Sequence, residues 1–110
     1  MIYDVQIIDE AENDLRNIFE YYAFRRHKPR LARKIYKQIM DKLNSLEEMP
    51  FRYPVYQDEP WKSRDVRQVF AGSYCGFYYV AGNIVKVFRI LYGGMDLAAA
   101  LSETVFDDFN

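Results

Sequence analysis

Residues 63–94 read SRDVRQVFAGSYCGFYYVAGNIVKVFRILYGG, and this stretch decides the fold class. Three apolar runs, 66–70, 74–81 and 84–91, are rich in β-branched and aromatic residues, which favour a pleated, half-buried surface. Only Ala71-Gly72-Ser73 and Gly82-Asn83 separate them. A parallel crossover needs about a dozen residues, so such short separations allow hairpins alone and predict a three-stranded antiparallel meander. The second and third runs are apolar on both faces, which requires a cover on each face or a face kept for binding. Arg64, Arg67 and Arg89 punctuate the strands. A cation on or beside an apolar strand either reaches the rim or is held there by a partner.

Working outward toward the N-terminus, Ile2 to Ile8 alternates well enough for a short strand, with Tyr3, Val5 and Ile7 on one face. Asp9 is expected to end it and to cap a helix. Apolar residues at Ala11, Leu15, Ile18, Phe19 and Tyr22 form a helical stripe, and Asp9, Glu10 and Glu12 suit the positive end of its dipole. That helix is expected to run to about residue 26. His27-Lys28 then makes a tight link, and Pro29 suits the first turn of a second helix. Leu31, Ile35, Ile39, Leu43 and Leu46 give the second helix its stripe, with Arg30, Arg33, Lys34 and Lys37 roughly opposite. Neither helix can bury its stripe alone, so the pair must lie as an antiparallel hairpin on one face of the sheet. Residues 49–60 hold three of the four prolines and no periodicity, which reads as a loop. The expected fold is α+β in the order β-α-α-β-β-β, as a single domain over residues 1–110. Residues 96–110 form an acidic tail in which Leu97 to Leu101 suit a helical turn or two.

Composition narrows the function classes. Half the 110 residues are apolar and 17% are aromatic, with ten tyrosines and eight phenylalanines, which argues against intrinsic disorder. No run approaches the ~20 apolar residues of a membrane span, and the first residues lack the charged-then-apolar order of a signal peptide. The lone Cys75 cannot form an internal disulfide, so a cytoplasmic location with no membrane contact is expected. The net charge of −1 hides segregation: Arg25, Arg26, Lys28, Arg30, Arg33, Lys34, Lys37 and Lys42 face Asp41 alone, while the tail is acidic. The basic stretch suits a solvated helix face, nucleic acid or an acidic partner.

Several chemistries find no support. One cysteine, one histidine and no carboxylate cluster at ligand spacing leave no metal site, and no cofactor is expected. Gly93-Gly94 is too short for a phosphate-binding fingerprint. Cys75 followed by Gly76 reads as a small buried thiol, since no histidine stands near it to activate a nucleophile. Tyr74, Tyr78 and Tyr79 suit core or interface, because an unperturbed phenol titrates near ~10.

The ordered set Tyr3-x-Val5, Ala11-x-x-x-Leu15-x-x-Ile18-x-x-Tyr21-Tyr22, Leu46-x-x-x-Pro50, Arg67-Gln68-Val69-Phe70-Ala71-Gly72-Ser73-Tyr74-x-x-x-Tyr78 and Val87-Phe88-Arg89-Ile90-Leu91-Tyr92-Gly93 resembles the RelE/ParE toxins of bacterial type II toxin–antitoxin modules. The resemblance spans roughly residues 1–96. It implies the microbial-ribonuclease-like fold with a helical hairpin on a small, mainly antiparallel sheet. It also implies a growth-inhibitory toxin of the plasmid-stabilisation type, neutralised by a cognate antitoxin whose C-terminal segment covers an exposed apolar groove. Operator DNA would be reached only through the antitoxin.

The family acts in two ways, by ribosome-dependent mRNA cleavage or by poisoning DNA gyrase. Arg67, Tyr74 and Tyr78 match the arginine and tyrosines of the family's Arg-x-x-x-x-Gly-x-Tyr string; in a ribonuclease the catalytic set would be Arg67 and Arg89 on the phosphate with Tyr74 or Tyr92 assisting proton transfer, and the cations available to bind target or RNA are Lys62, Arg64, Arg67 and Arg89. Tyr21, Tyr22 and Tyr78 would meet the antitoxin. The position after Tyr74, commonly arginine, is Cys75, and the basic pair often found after the last strand is Gly94-Met95. That depletion, together with Arg89-Ile90-Leu91-Tyr92-Gly93, favours the ParE branch and gyrase. A RelE-like endoribonuclease and a detoxified remnant that only binds its antitoxin are the alternatives.

Overall fold

The computed structural model describes residues 2–104, and in it β1 (Asp4–Ile7) leads directly into α1 (Asp9–Glu20). A π-helical turn (Tyr21–Arg25) and a short link separate α1 from α2 (Pro29–Asn44). Two 3₁₀ turns and a long loop then lead to β2 (Arg67–Ala71), β3 (Tyr74–Ala81) and β4 (Ile84–Tyr92), and α3 (Leu97–Ser102) follows. The meander forms as its separations require: Gly72 and Gly82 turn the chain at φ +60° and +63°, the left-handed region open to glycine. The sheet order is β1-β4-β3-β2, and β1 joins it parallel to β4 with Asp4 opposite Ile84 and Ile7 opposite Val87. This is the α+β arrangement of two helices on a four-stranded, mostly antiparallel sheet.

Both faces of the sheet are covered. On one, Ala11 and Leu15 of α1 and Ile39 and Leu43 of α2 pack with Val69, Tyr78, Val85 and Val87. Gly76 permits that approach, since a Cβ there would stand 3.0 Å from Leu43. On the other face the long loop and α3 supply Trp61, Val66 and Leu101 against Cys75, Phe77 and Phe88, and the Trp61 indole stacks on Phe88 at 5.6 Å. Thus the later part of the long loop, from Tyr56 to Val66, serves with α3 as the second cover of the strands that are apolar on both faces.

Asp9 does not cap α1. Ile8 occupies the cap position in an extended conformation, its N–H donating to Val87 O at 3.0 Å and its carbonyl accepting from Glu12 N–H at 3.0 Å. The chain therefore passes from sheet to helix with no loop residue to spare, and Asp9 falls inside the first turn, where its charge still complements the dipole. Pro29 opens α2 as expected. Asp96 caps α3 by accepting from Ala99 N–H at 3.1 Å. The part of the expected acidic tail beyond Thr104 lies outside the described residues.

Candidate functional site

Arg67 begins β2, where a single bridge pairs it with Val55 of the long loop. Its guanidinium donates through Nη1 to the carbonyls of Phe51 at 3.0 Å and Tyr53 at 2.7 Å, lies over the Phe51 ring, and reaches Asp65 at 3.3 Å. Nearby, the Tyr78 hydroxyl donates to Pro50 O at 2.5 Å, and Tyr78 is fully buried. Burial raises the Tyr78 pKa, partly offset by the Arg67 charge. Arg67 and Tyr78 thus fasten the same loop from two strands. Tyr78, expected at an antitoxin surface, lies in the core.

Arg89 owes its position to an irregularity in the β3–β4 pairing. Val87 stands opposite Tyr78 and Arg89 opposite Phe77, so Phe88 is an extra residue that sends the following side chains to new faces. β1 has ended by this point, and the open edge of β4 meets α1 instead. There Asp14 accepts from Arg89 Nε at 2.8 Å, from Arg89 Nη2 at 3.2 Å and from Ile90 N–H at 2.9 Å. Glu10 stands 3.5 Å away and Thr104 Oγ1 accepts at 3.2 Å. Burial disfavours the charged guanidinium, but the hydrogen bond and charge of Asp14, aided by Glu10 and Glu103, outweigh it and raise the Arg89 pKa.

A third group forms where the helical turn meets the strand ends. Tyr21 and Tyr22 come from the π turn, while Tyr74 and Tyr92 are paired in register at the first position of β3 and the last of β4. With Arg26 they line a cleft of about 350 Å³. The Tyr74 hydroxyl donates to Tyr22 at 3.0 Å, and Arg26 Nη1 donates to the Tyr21 hydroxyl at 3.4 Å. Burial, then the hydrogen bond with Tyr22, pushes the Tyr74 phenol well above its usual range. Such a phenol is a weak acid at neutral pH. Tyr92 is half exposed, and its ring lies so close to Gly94 that a Cβ there would come within 2.5 Å of it. Any side chain at 94 would have to displace Tyr92.

The structure therefore brings Tyr74 and Tyr92 together with Tyr21 and Tyr22, while Arg67 and Arg89 do not line that cleft. Lys62 and Arg64 sit in the loop turn beside Trp61, which covers the opposite sheet face. Arg26 is the cleft residue that sequence reading missed. Its N–H bonds to Tyr21 O at 2.9 Å, a five-residue step that a 3.6-residue periodicity does not anticipate. Cys75 is buried with its thiol pushed up to about 12 by burial, which removes it as a nucleophile. Among the described residues no group of metal-ligand type occurs.

One further concavity lies beside the helical hairpin. Leu15 and Phe19 of α1, Phe24 of the π turn, and Tyr36 and Met40 of α2 line a groove of about 490 Å³, with Glu12 and Arg16 also in its wall. Phe24 is 67% exposed, an unusual position for a large apolar ring.

Residues 5–97 match the family described as the ParE toxin of the type II toxin-antitoxin system parDE. The chain belongs to the ParE toxin family. It is thus a toxin component of a type II system, within the wider RelE/ParE group. Three solved structures share the fold of this ParE-family chain. A chain of the chromosomal ParDE system from P. aeruginosa superposes with a TM-score of 0.67 at 19% identity, covering 83% of this chain and 96% of that one. The RelBE2 toxin-antitoxin complex from Mycobacterium tuberculosis gives 0.58 at 17% identity, covering 84% and 99%. The archaeal RelE-RelB complex from Pyrococcus horikoshii gives 0.56 at 18% identity, covering 86% and 98%. No curated protein sequence matches the chain.

Proposed function

We propose that this ParE-family toxin arrests growth by docking on DNA gyrase in the cytoplasm and that it does not cleave RNA. The observation that carries this reading is the internal engagement of both strand arginines. Arg89 is held by Asp14 and Glu10, and Arg67 by Phe51, Tyr53 and Asp65. Phosphoryl-transfer chemistry on RNA needs cations turned toward the scissile phosphate and a proton donor of suitable pKa. Arg89 has spent its charge on a carboxylate, the Tyr74 phenol holds its proton too tightly, and Gly94 lies under Tyr92 where ribonuclease members often carry a base. A protein-docking inhibitor needs only a shaped surface, which the half-exposed Tyr92 and the tyrosine cleft supply.

The cognate antitoxin fits the helical-hairpin groove. Its amphipathic C-terminal segment would place apolar side chains against Phe19, Phe24 and Met40, with Tyr21 and Tyr22 at the adjoining turn. A ribonuclease reading retains one supporting feature, the adjacency of Arg26 to Tyr74 and Tyr92 in a single cleft. Induced expression separates the two. The SOS response with intact messages is expected, and primer extension showing cuts in translated messages without early SOS would replace gyrase by the ribosome.

A further inference from the structure

The exposed side of α2 is a surface that neither the groove nor the tyrosine cleft uses. Arg30, Arg33, Lys34 and Lys37 stand at i, i+3, i+4 and i+7, so they form one face, and all four are exposed. The opposite face carries the buried Ala32, Ile39 and Leu43. Tyr36 turns aside into the groove, with its ring edge on Phe19. Arg25 and Lys28 extend the positive charge to the hairpin tip, and residues 21–40 contain no acid. Among the described residues only Lys37 of the four has a carboxylate partner, Asp41 at 2.7 Å.

We propose that this face of α2 binds the phosphate backbone of duplex DNA without regard to sequence. Charge complementarity selects the occupant. A protein interface needs an apolar centre that excludes water, and this face has none. A single strand is held by aromatic platforms for its bases, and the four positions offer no ring. What remains is a convex row of guanidinium and ammonium groups, about 10 Å long from Arg30 to Lys37 by the helical rise, which suits a regular polyanion contacted at its phosphates. The whole chain carries a net charge of −1, so it has no general attraction for DNA, and any binding must come from a local patch. The inference goes beyond the target assigned above and stands on separate residues.

Fluorescence anisotropy of the purified chain with a short labelled duplex tests it. Binding at about 50 mM salt is expected, with a log–log salt slope of about −3 to −4 for four phosphate contacts, so affinity falls about a hundredfold by about 200 mM. The R33E/K34E pair should lose at least about tenfold, and the milder R33Q/K34Q pair should lose affinity and reduce the slope by about two. Both are exposed positions, so unchanged circular dichroism is expected. No binding at low salt overturns the proposal. So does wild-type affinity in both variants, tighter binding to the single strand, or displacement of the duplex by polyglutamate at equal charge.

Discussion

Arg89 and Asp14, 75 positions apart, meet as a two-point ion pair, Nε to Oδ2 at 2.8 Å and Nη2 to Oδ1 at 3.2 Å, with side chains only 14% and 12% exposed. The same carboxylate accepts from Ile90 N–H, so it completes the edge of β4 where β1 has run out. The pair ties α1 to the sheet and, through Thr104, to the end of α3.

Removing one partner leaves a buried charge uncompensated. Asp14→Ala is therefore expected to destabilise the fold by about 3 to 5 kcal/mol in urea denaturation, and D14A/R89M by less than D14A alone. A loss below about 1 kcal/mol would show the pair to be unimportant.

The Tyr74 hydroxyl has a structural partner in Tyr22 and a raised pKa. Tyr74→Phe keeps the ring and removes only that bond, with an expected cost of about 1 kcal/mol. Growth arrest on induction should be unchanged. Loss of arrest by a variant with near-normal melting temperature would give the hydroxyl a chemical role.

Burial raises the Cys75 thiol from 9.0 to about 12, so the folded state keeps its proton where the unfolded chain loses it. The resulting stability is fully present below about pH 9 and declines as pH rises toward 12, at up to about 1.4 kcal/mol per unit. Tyr74 and Tyr78, raised by burial, act in the same direction above about pH 10. Cys75→Ala should flatten the alkaline slope between pH 9 and 10 in denaturation curves. An unaltered slope would mean that the thiol does not contribute.

Phe24 touches solvent over most of its surface, so Phe24→Glu should change stability by no more than about 0.5 kcal/mol. If the hairpin groove holds the antitoxin, the same change should weaken the complex at least about tenfold in titration calorimetry, as loss of an apolar anchor does. Unchanged affinity would move the antitoxin to another surface.

Local signals carried most of the fold. The meander followed from run lengths and two short separations, the helices from stripes at Ala11–Leu15–Ile18 and Ile35–Ile39–Leu43, and the start of α2 from Pro29. The candidate site was legible in part, since Tyr21, Tyr22, Tyr74 and Tyr92 were singled out in the sequence and converge in one cleft. The rest depended on non-local geometry. The extra residue Phe88 in β4 redirects Arg89, and the parallel seat of β1 brings α1, with Asp14, to its edge. The π turn that places Arg26 has no signature in a 3.6-residue pattern. Asp9 looked like a cap by residue type, but Ile8 was already committed to Val87.

Inhibition by docking and cleavage of RNA leave different products. The most direct measurement incubates the purified toxin with DNA gyrase, relaxed plasmid and ATP and follows supercoiling, with translating ribosomes and message in a parallel reaction. Loss of supercoiling, accumulation of cleaved plasmid and intact message are expected of a docking inhibitor. Normal supercoiling together with cleavage of ribosome-bound message would contradict inhibition by docking.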